Sequence, residues 1–446
     1  MIDDGGTYPR GDSPYQQYVY AYPHKTAYRP LTPAPRLHDV WAGEDRSALA
    51  LYLHIPFCEM RCGFCNLFTR TGAPAGLTGA YLDALERQAT RVADALGEAT
   101  FATAAFGGGT PTYLTAGELD RLCDIGARFA ASGTIPLGVE TSPATATIDR
   151  LAVLRERGTT RVSIGVQSFL DDEARAAGRP QKRADVDAAL GRIRALGFPT
   201  LNIDLIYGIG GQTAASWRRS LAAALAWRPE ELYLYPLYVR PLTGLSRRDL
   251  DWDDQRLQLY RQGRDHLLAE GYEQVSMRMF RLPTDGFDSD AGTGGTRYCC
   301  QTDAMVGLGC GARSYTSALH YSFEYAVGAR QVRAIIDDYV RATDVDRPRV
   351  GFALDDDERR RRHLVQSLLQ ADGLDRAAYR ARFGTAADAA LDTSAELTGL
   401  AARGWLAEHG PSTLRLSAEG LARSDAVGPA LFSPRVRALM TDHVPR

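Results

Sequence analysis

Three cysteines lie within eight residues. In Leu51-Tyr52-Leu53-His54-Ile55-Pro56-Phe57-Cys58-Glu59-Met60-Arg61-Cys62-Gly63-Phe64-Cys65 the thiols of Cys58, Cys62 and Cys65 are spaced by four and then three positions. Three thiolates in one short loop suit three corners of an iron–sulfur cube and leave the fourth iron open to a substrate. A structural zinc site takes four ligands in a closed set, and no Cys or His follows Cys65 at a fitting distance; His54 precedes the loop, on the expected strand. Zinc and a chance crowding of thiols remain alternatives at this level. The chain holds seven cysteines, an odd number, and the crowding of three of them points to metal ligation in a reducing compartment rather than to a disulfide framework.

Further polar residues fall where strands are expected to end. Phe106-Gly107-Gly108-Gly109-Thr110-Pro111-Thr112 leaves backbone N–H and C=O groups open to a ligand, although a tight strand-to-helix turn uses glycine equally well. Glu140, Gln167, Asp204 and Tyr235 each close another β-rich run. Any one of them reads as a cap or a solvated loop residue. Together they converge on the carboxyl edge of a sheet, the edge on which α/β barrels build their active sites.

The elements that must carry these residues alternate regularly. Strands are expected at 51–55, 102–106, 137–141, 161–165, 201–206 and 231–237, with helices at 82–96, 116–131, 148–157, 183–196 and 215–226. Six strand–helix units in a row predict a parallel sheet with right-handed crossovers, an α/β fold of the partial (β/α)6 TIM-like barrel type occupying residues 47–250. Residues 1–46, rich in Tyr and Pro, read as an extended arm packed on the body, because so many aromatics are costly to leave in water. Residues 251–350 form an extension of the barrel, with a helix at 253–269, a strand at 272–276 and a glycine-rich stretch at 285–295. Residues 351–446 read as a small helical, winged domain, with a helix at 355–369 and a strand pair at 405–409 and 414–417.

Composition bounds the remaining possibilities. The 446 residues are 45% hydrophobic and 24% charged, with 52 Lys+Arg against 54 Asp+Glu. So even a balance argues against a nucleic-acid-coating surface and against an acidic disordered chain. No run approaches the ~18 apolar residues of a membrane span, and residues 1–30 lack the pattern of a secretory signal. A cytoplasmic location follows as the expectation.

The chain resembles the radical S-adenosylmethionine (SAM) superfamily and, within it, the oxygen-independent coproporphyrinogen III oxidase-like (HemN-like) family. The resemblance runs from Tyr52 to Tyr315 through His54-Ile55-Pro56-Phe57-Cys58, Gly107-Gly108-Gly109-Thr110-Pro111-Thr112, Ser163-Ile164-Gly165-Val166-Gln167-Ser168-Phe169, Asn202-Ile203-Asp204-Leu205-Ile206-Tyr207-Gly208 and Gly307-Leu308-Gly309-Cys310-Gly311-Ala312. It continues more weakly into the C-terminal region. It implies that Cys58, Cys62 and Cys65 bind a [4Fe–4S] cluster whose open iron takes SAM, one molecule or two. It implies SAM contacts at Tyr52, Phe64, Gly107, Gly108, Thr110, Glu140, Gln167, Arg179, Asp204 and Tyr235. Among these, Glu140 suits the methionine ammonium, Arg179 the carboxylate, Asp204 the ribose hydroxyls and Phe64 the adenine. The implied reaction is cleavage of SAM to methionine and a 5′-deoxyadenosyl radical that takes a hydrogen atom from the substrate.

Departures from the family pattern shape the expected function. Coproporphyrinogen oxidases carry a further Cys two places after the third ligand, where this chain has Cys65-Asn66-Leu67; it adds Tyr298-Cys299-Cys300-Gln301 and Cys310. Cys299, Cys300 and Cys310 are therefore candidate catalytic thiols that donate a hydrogen atom, trap a radical, handle sulfur or hold a second cluster, with packing as the alternative; Cys123 reads as core. His24, Lys25, Tyr28 and Arg29 are candidates to cover the barrel mouth and touch an anionic group of a substrate, with a surface arm of solvated charges as the equal alternative. The expectation is a tailoring enzyme acting on a small-molecule biosynthetic intermediate to form a C–C or C–S bond or a rearranged ring. The alternatives are a two-SAM C-methyltransferase or cyclopropane-forming enzyme, and a coproporphyrinogen oxidase-like protein or haem chaperone, the last needing an axial ligand such as His363, His409 or His443. A one-electron donor such as flavodoxin or ferredoxin is the expected partner of a monomer, with no nucleic acid and no membrane.

Overall fold

The computed structural model describes residues 13–130, 134–240, 242–245, 253–283 and 304–444. All six expected strands form, as β1 (Leu49–Ile55), β2 (Phe101–Gly108), β3 (Leu137–Thr141), β4 (Thr159–Gln167), β5 (Thr200–Tyr207) and β6 (Glu231–Pro236). They pair in parallel in chain order. Their near-continuous apolar runs, such as Leu-Ala-Leu-Tyr-Leu-His-Ile in β1 with six of seven residues buried, are what a sheet covered on both faces requires. The intervening helices begin where the sequence supplies caps. Thr115 and Glu118 form a reciprocal capping box ahead of Ala116–Ala127, and Thr213 and Ser216 do the same for Ala214–Leu225. The helix expected from residue 82 starts earlier, at Leu77, because left-handed Gly76 (φ 81°) turns the chain into it.

The sheet extends well past those six strands. β7 (Met279–Arg281) adds antiparallel to β6, and the strand expected at 272–276 shrinks to the pair Glu273–Gln274 beside it. On the opposite side β8 (Met305–Leu308) lies parallel to β1, placing a seventh parallel strand outside the first. Strands Arg313–Tyr315, Leu319–Ser322 and Val350–Ala353 follow antiparallel, and the arm closes the series with Arg29–Pro30 on Val350–Ala353. Thirteen strands thus form one open α/β sheet among the described residues. The glycine-rich stretch 285–295 and the Tyr298–Gln301 segment with Cys299 and Cys300 lie outside the described residues.

The C-terminal part has its own apolar core, around Val365, Leu368, Leu397, Leu414 and Val427, beneath a three-stranded sheet of Leu374–Asp375, Thr413–Leu416 and Leu406–His409. Its first helix, Asp356–Leu368, is capped by Asp355. That core also takes Tyr22 and Ala27 from the arm. The arm is tied down by polar contacts as well. Tyr22 donates its hydroxyl to Glu358 and accepts from Ser433 N, Arg29 donates to the Leu439 carbonyl at 2.5 Å, and Gln17 N donates to the Asp425 carbonyl. Asp425 is also the counter-charge of buried Arg278 at 2.5 Å and accepts from Tyr238, while the Arg278 guanidinium lies 3.9 Å from the Tyr18 ring centroid. One ion pair therefore joins barrel, arm and C-terminal part. No helix among the described residues is long and apolar enough to cross a membrane.

Candidate functional site

A cavity of about 1910 Å³ opens at the carboxyl edge of the parallel strands. Its floor is the cysteine loop. β1 stops at Pro56, Phe57–Cys58 pairs with Arg70–Thr71, and the loop between is folded tightly. Cys65 N donates to the Cys62 carbonyl, and Gly63 N donates to the Gly178 carbonyl beyond β4. A Cβ at Gly63 would come within 2.9 Å of the Ala177 carbonyl, so the close approach requires glycine. Cys58, Cys62 and Cys65 all line the cavity, without forming a closed metal-ligand set among the described residues. Thr110 Oγ1 lies 3.3 Å from Cys58 Sγ, and Arg179 donates to Cys62 Sγ at 3.3 Å. Burial pushes the Cys58 thiol up to about 12, and burial raises Cys65 as well, with the neighbouring thiols adding to both. Three thiols gathered on one loop and facing one cavity are a donor set that fits an iron–sulfur cluster.

One wall is a shelf of backbone and acids. Gly109 N and Thr110 N donate back to Ile55 and Phe57, while Gly108 N donates to Glu140 Oε2 at 3.1 Å. A Cβ at Gly107 would lie 2.9 Å from the Glu140 carboxyl carbon; Gly108 has φ 115° and its Cβ would meet the His54 ring at 2.5 Å. Gln167 sits at a register shift in β4 with φ 69°, a left-handed conformation that is costly for a side-chain-bearing residue. Its amide nitrogen crosses 2.8 Å from where a Cβ on Gly165 would be. Asp204 is held by Asn202 at 2.7 Å and Ser163 at 3.4 Å. Burial, reinforced by Asp204, pushes the Glu140 carboxyl up to about 7, and burial pushes Asp204 up to about 6. Two acids held above their usual range thus face one cavity, with the Arg161 guanidinium acting on both. Tyr52, Phe64, Thr110, Gln167, Arg179 and Tyr235 line the same space, whereas Gly107 lies just behind it.

His54, which the sequence placed on the strand ahead of the cysteine loop, is a joint in this wall. Its Nε2 donates to the Phe68 carbonyl at 3.1 Å and its Nδ1 faces the Tyr52 hydroxyl at 3.2 Å. Burial lowers its pKa to about 4, so the ring is neutral at physiological pH. Gly108 and Gly311 both pack against it. Nothing in the linear spacing brings residue 311 to residue 54; the parallel pairing of β8 with β1 does.

The roof comes from the two ends of the described chain. Tyr20, His24, Lys25, Tyr28 and Arg29 line it, together with Arg437 and His443. Arg313 donates to the Tyr20 hydroxyl at 2.7 Å, and Lys25 Nζ lies 3.4 Å from the Tyr325 ring centroid. The arm thus covers the mouth as expected, although the Arg29 guanidinium is engaged with backbone carbonyls, including that of Leu439.

The candidate thiol Cys310 does not reach the cavity. It is fully buried among the residues of the main apolar core, which include Tyr81 and Tyr339, and burial holds its thiol far above the ordinary range. Its place corrects the catalytic expectation to packing: the chain turns between Gly309 and Gly311, and only the latter faces the cavity. Cys123 is likewise core. Of the three candidate axial histidines, His363 packs on Tyr379 and Phe383 beside a separate cavity of about 360 Å³, His409 lies 3.7 Å from Asp392, and His443 alone lines the main cavity.

Residues 52–224 match the Radical SAM superfamily. The chain is 30% identical over 397 residues to an oxygen-independent coproporphyrinogen III oxidase of Pseudomonas aeruginosa, covering 85% of this chain and 81% of that one. It is 32% identical over 237 residues to the heme chaperone HemW of Bacillus subtilis, covering 51% of this chain and 62% of HemW. The structure of coproporphyrinogen III oxidase (HemN) from Escherichia coli superposes with a TM-score of 0.79 at 25% identity, covering 93% of this chain and 97% of that one.

Proposed function

Because the chain belongs to the HemN-like family of the radical SAM superfamily, we propose that its substrate is a large polycarboxylate of the tetrapyrrole kind, oxidised at a carbon beside an acidic side chain. The protein is a radical SAM enzyme and uses a [4Fe–4S] cluster and SAM. When bound, they supply a 5′-deoxyadenosyl radical. The observation that carries the substrate reading is that one cavity holds the thiol loop, the acid-and-glycine shelf and a cationic roof. Its volume of about 1910 Å³ exceeds the ~300–1,000 Å³ of pockets that take one small ligand, leaving room for a large substrate beside the cofactor. Lys25, Arg240, Arg313 and Arg437 line it, a set suited to several carboxylates.

In this reading Cys58, Cys62 and Cys65 hold the cluster. Glu140 receives the methionine ammonium, Arg179 its carboxylate and Asp204 the ribose, while Tyr52, Phe64, Gly107, Gly108, Thr110, Gln167 and Tyr235 shape the remaining contacts. His54 positions Tyr52 and the loop carbonyl of Phe68. The arm excludes water above them.

The test is anaerobic incubation of cluster-reconstituted protein with SAM, dithionite and coproporphyrinogen III. The expected outcome is 5′-deoxyadenosine together with a decarboxylated porphyrinogen from wild type, and neither from Cys58→Ala, Cys62→Ala or Cys65→Ala, which also lose the iron–sulfur absorbance. Formation of 5′-deoxyadenosine with coproporphyrinogen III untouched would overturn the substrate assignment in favour of a tailoring reaction on another intermediate. Tight haem retention without SAM cleavage would favour the chaperone.

A further inference from the structure

Of the 52 basic residues in this chain only two are lysines, Lys25 and Lys182. Lys182 is exposed, just ahead of helix Arg183–Ala195. Lys25 opens the single-turn helix Lys25–Ala27 of the arm, half-buried, with its side chain on the cavity. A chain that places its positive charge on arginine almost everywhere has kept an amine at this one internal position. Lysine differs from arginine there by offering a compact ammonium, not a planar fork.

Among the described residues, no carboxylate forms an ion pair with that amine. Its Nζ lies 3.4 Å from the Tyr325 ring centroid. Among the described residues, the ionisable groups near it are Arg313 from the strand Arg313–Tyr315, Arg240 beyond β6, Cys65 from the cluster loop, His54 from β1 and His24 from its own segment; the carboxylates on the cavity, Glu59, Glu140, Asp204 and Asp442, are not among them. Arg313, in turn, rests on the Tyr20 hydroxyl and ring, and its Nε is buried without a hydrogen-bond partner. Two basic side chains on one cavity, one of them with a buried N–H that has no partner, are an incomplete set.

We propose that Lys25, with Arg313 beside it, receives an acidic group of the substrate, and that Lys25 is the cavity's specificity-determining contact for that group. The acid completes the set: a carboxylate between Nζ and the guanidinium satisfies both and offsets their repulsion. No covalent bond forms, and the arm is held to the body by the ligand it contacts. The carboxylate character of the substrate rests on the function proposed above; the amine's part is tested separately.

Two lysines give two side-chain signals when the protein is grown on lysine labelled with ¹³C at Cε, and Lys182→Arg assigns them. In the full-length, cluster-loaded protein, coproporphyrin III is expected to shift the Lys25 signal and leave Lys182 in place, whereas its tetramethyl ester leaves both. Lys25→Met is expected to weaken coproporphyrin III binding at least about tenfold, the order of one charge-assisted hydrogen bond, with partial recovery in Lys25→Arg. A stationary Lys25 signal while the porphyrin spectrum reports binding overturns the proposal, as does equal affinity of Lys25→Met. If coproporphyrin III does not bind wild type, the tetrapyrrole reading fails on its own, and benzene-1,2,4,5-tetracarboxylate puts the same question to the amine. A Lys25 shift then supports the contact, and no shift overturns it.

Discussion

The shelf beside β3 is built from residues whose side chains, or lack of them, leave no slack. Gly108 combines φ 115° with a ring 2.5 Å from any Cβ, so Gly108→Ala is expected to displace His54 and lower SAM affinity more than about tenfold, read by equilibrium dialysis. Gln167 carries the opposite trade. Its φ of 69° costs about 1–3 kcal/mol. Gln167→Gly should therefore raise the midpoint of denaturant unfolding while weakening SAM binding, a split that simple damage would not produce. Glu140 gives a pH signature. With its carboxyl pushed to about 7, it is protonated in the empty site below that pH, and a bound cation favours the ionised form. SAM affinity should then rise as pH rises through 7 and level off above it, being about tenfold lower at pH 6 than at pH 8 by calorimetry; a flat profile would remove Glu140 from the ammonium contact. At this scale the sequence was most legible where close spacing and the surrounding motif coincide, as for Cys58, Cys62 and Cys65, which line one cavity together. It misjudged Cys310, since which side of a glycine turn meets a cavity depends on the packing of Tyr81 and Tyr339 behind it.

Elements were legible in proportion to their length and apolar continuity. The six parallel strands, at five to nine residues each, stood out and differ from expectation only by a few residues at their ends. β8, with four residues followed by a glycine turn, has too few positions to show a period, and its place beside β1 follows from long-range pairing that no local pattern encodes. The arm was recognisable by its aromatics, but its anchoring by Glu358, Ser433 and Leu439 was not. The Arg278–Asp425 pair, with side chains 6% and 1% exposed, makes the joint between these parts testable. Asp425→Asn leaves a buried guanidinium without its counter-charge and should cost about 3–5 kcal/mol in chemical denaturation, whereas replacing both partners together, as Arg278→Met with Asp425→Leu, should recover much of that. If the single and double changes cost the same, the pair is not what joins arm, barrel and C-terminal part.

Across the molecule, the acids of the cavity set a pH dependence of folding. Glu140 and Asp204 have folded-state pKa values above those of an unfolded chain, so the folded state binds more protons than the unfolded one between about pH 4 and 7. Their contribution to stability is greatest at the acid end of that window and is lost as pH rises through it. SAM, by pairing with Glu140, should flatten the slope, a difference that thermal melts with and without SAM would detect. The layout of the cavity carries one more consequence, for the order in which a ribosome delivers its parts. The floor and shelf draw on residues 52–235, whereas the wall that holds the arm in place draws on residues 429–444. A nascent chain can therefore present its cysteine loop to the machinery that inserts iron and sulfide while the roof is still unmade. The arm, made before its partners, meets them one after another, and the contact of Arg29 with Leu439 is among the last to become possible.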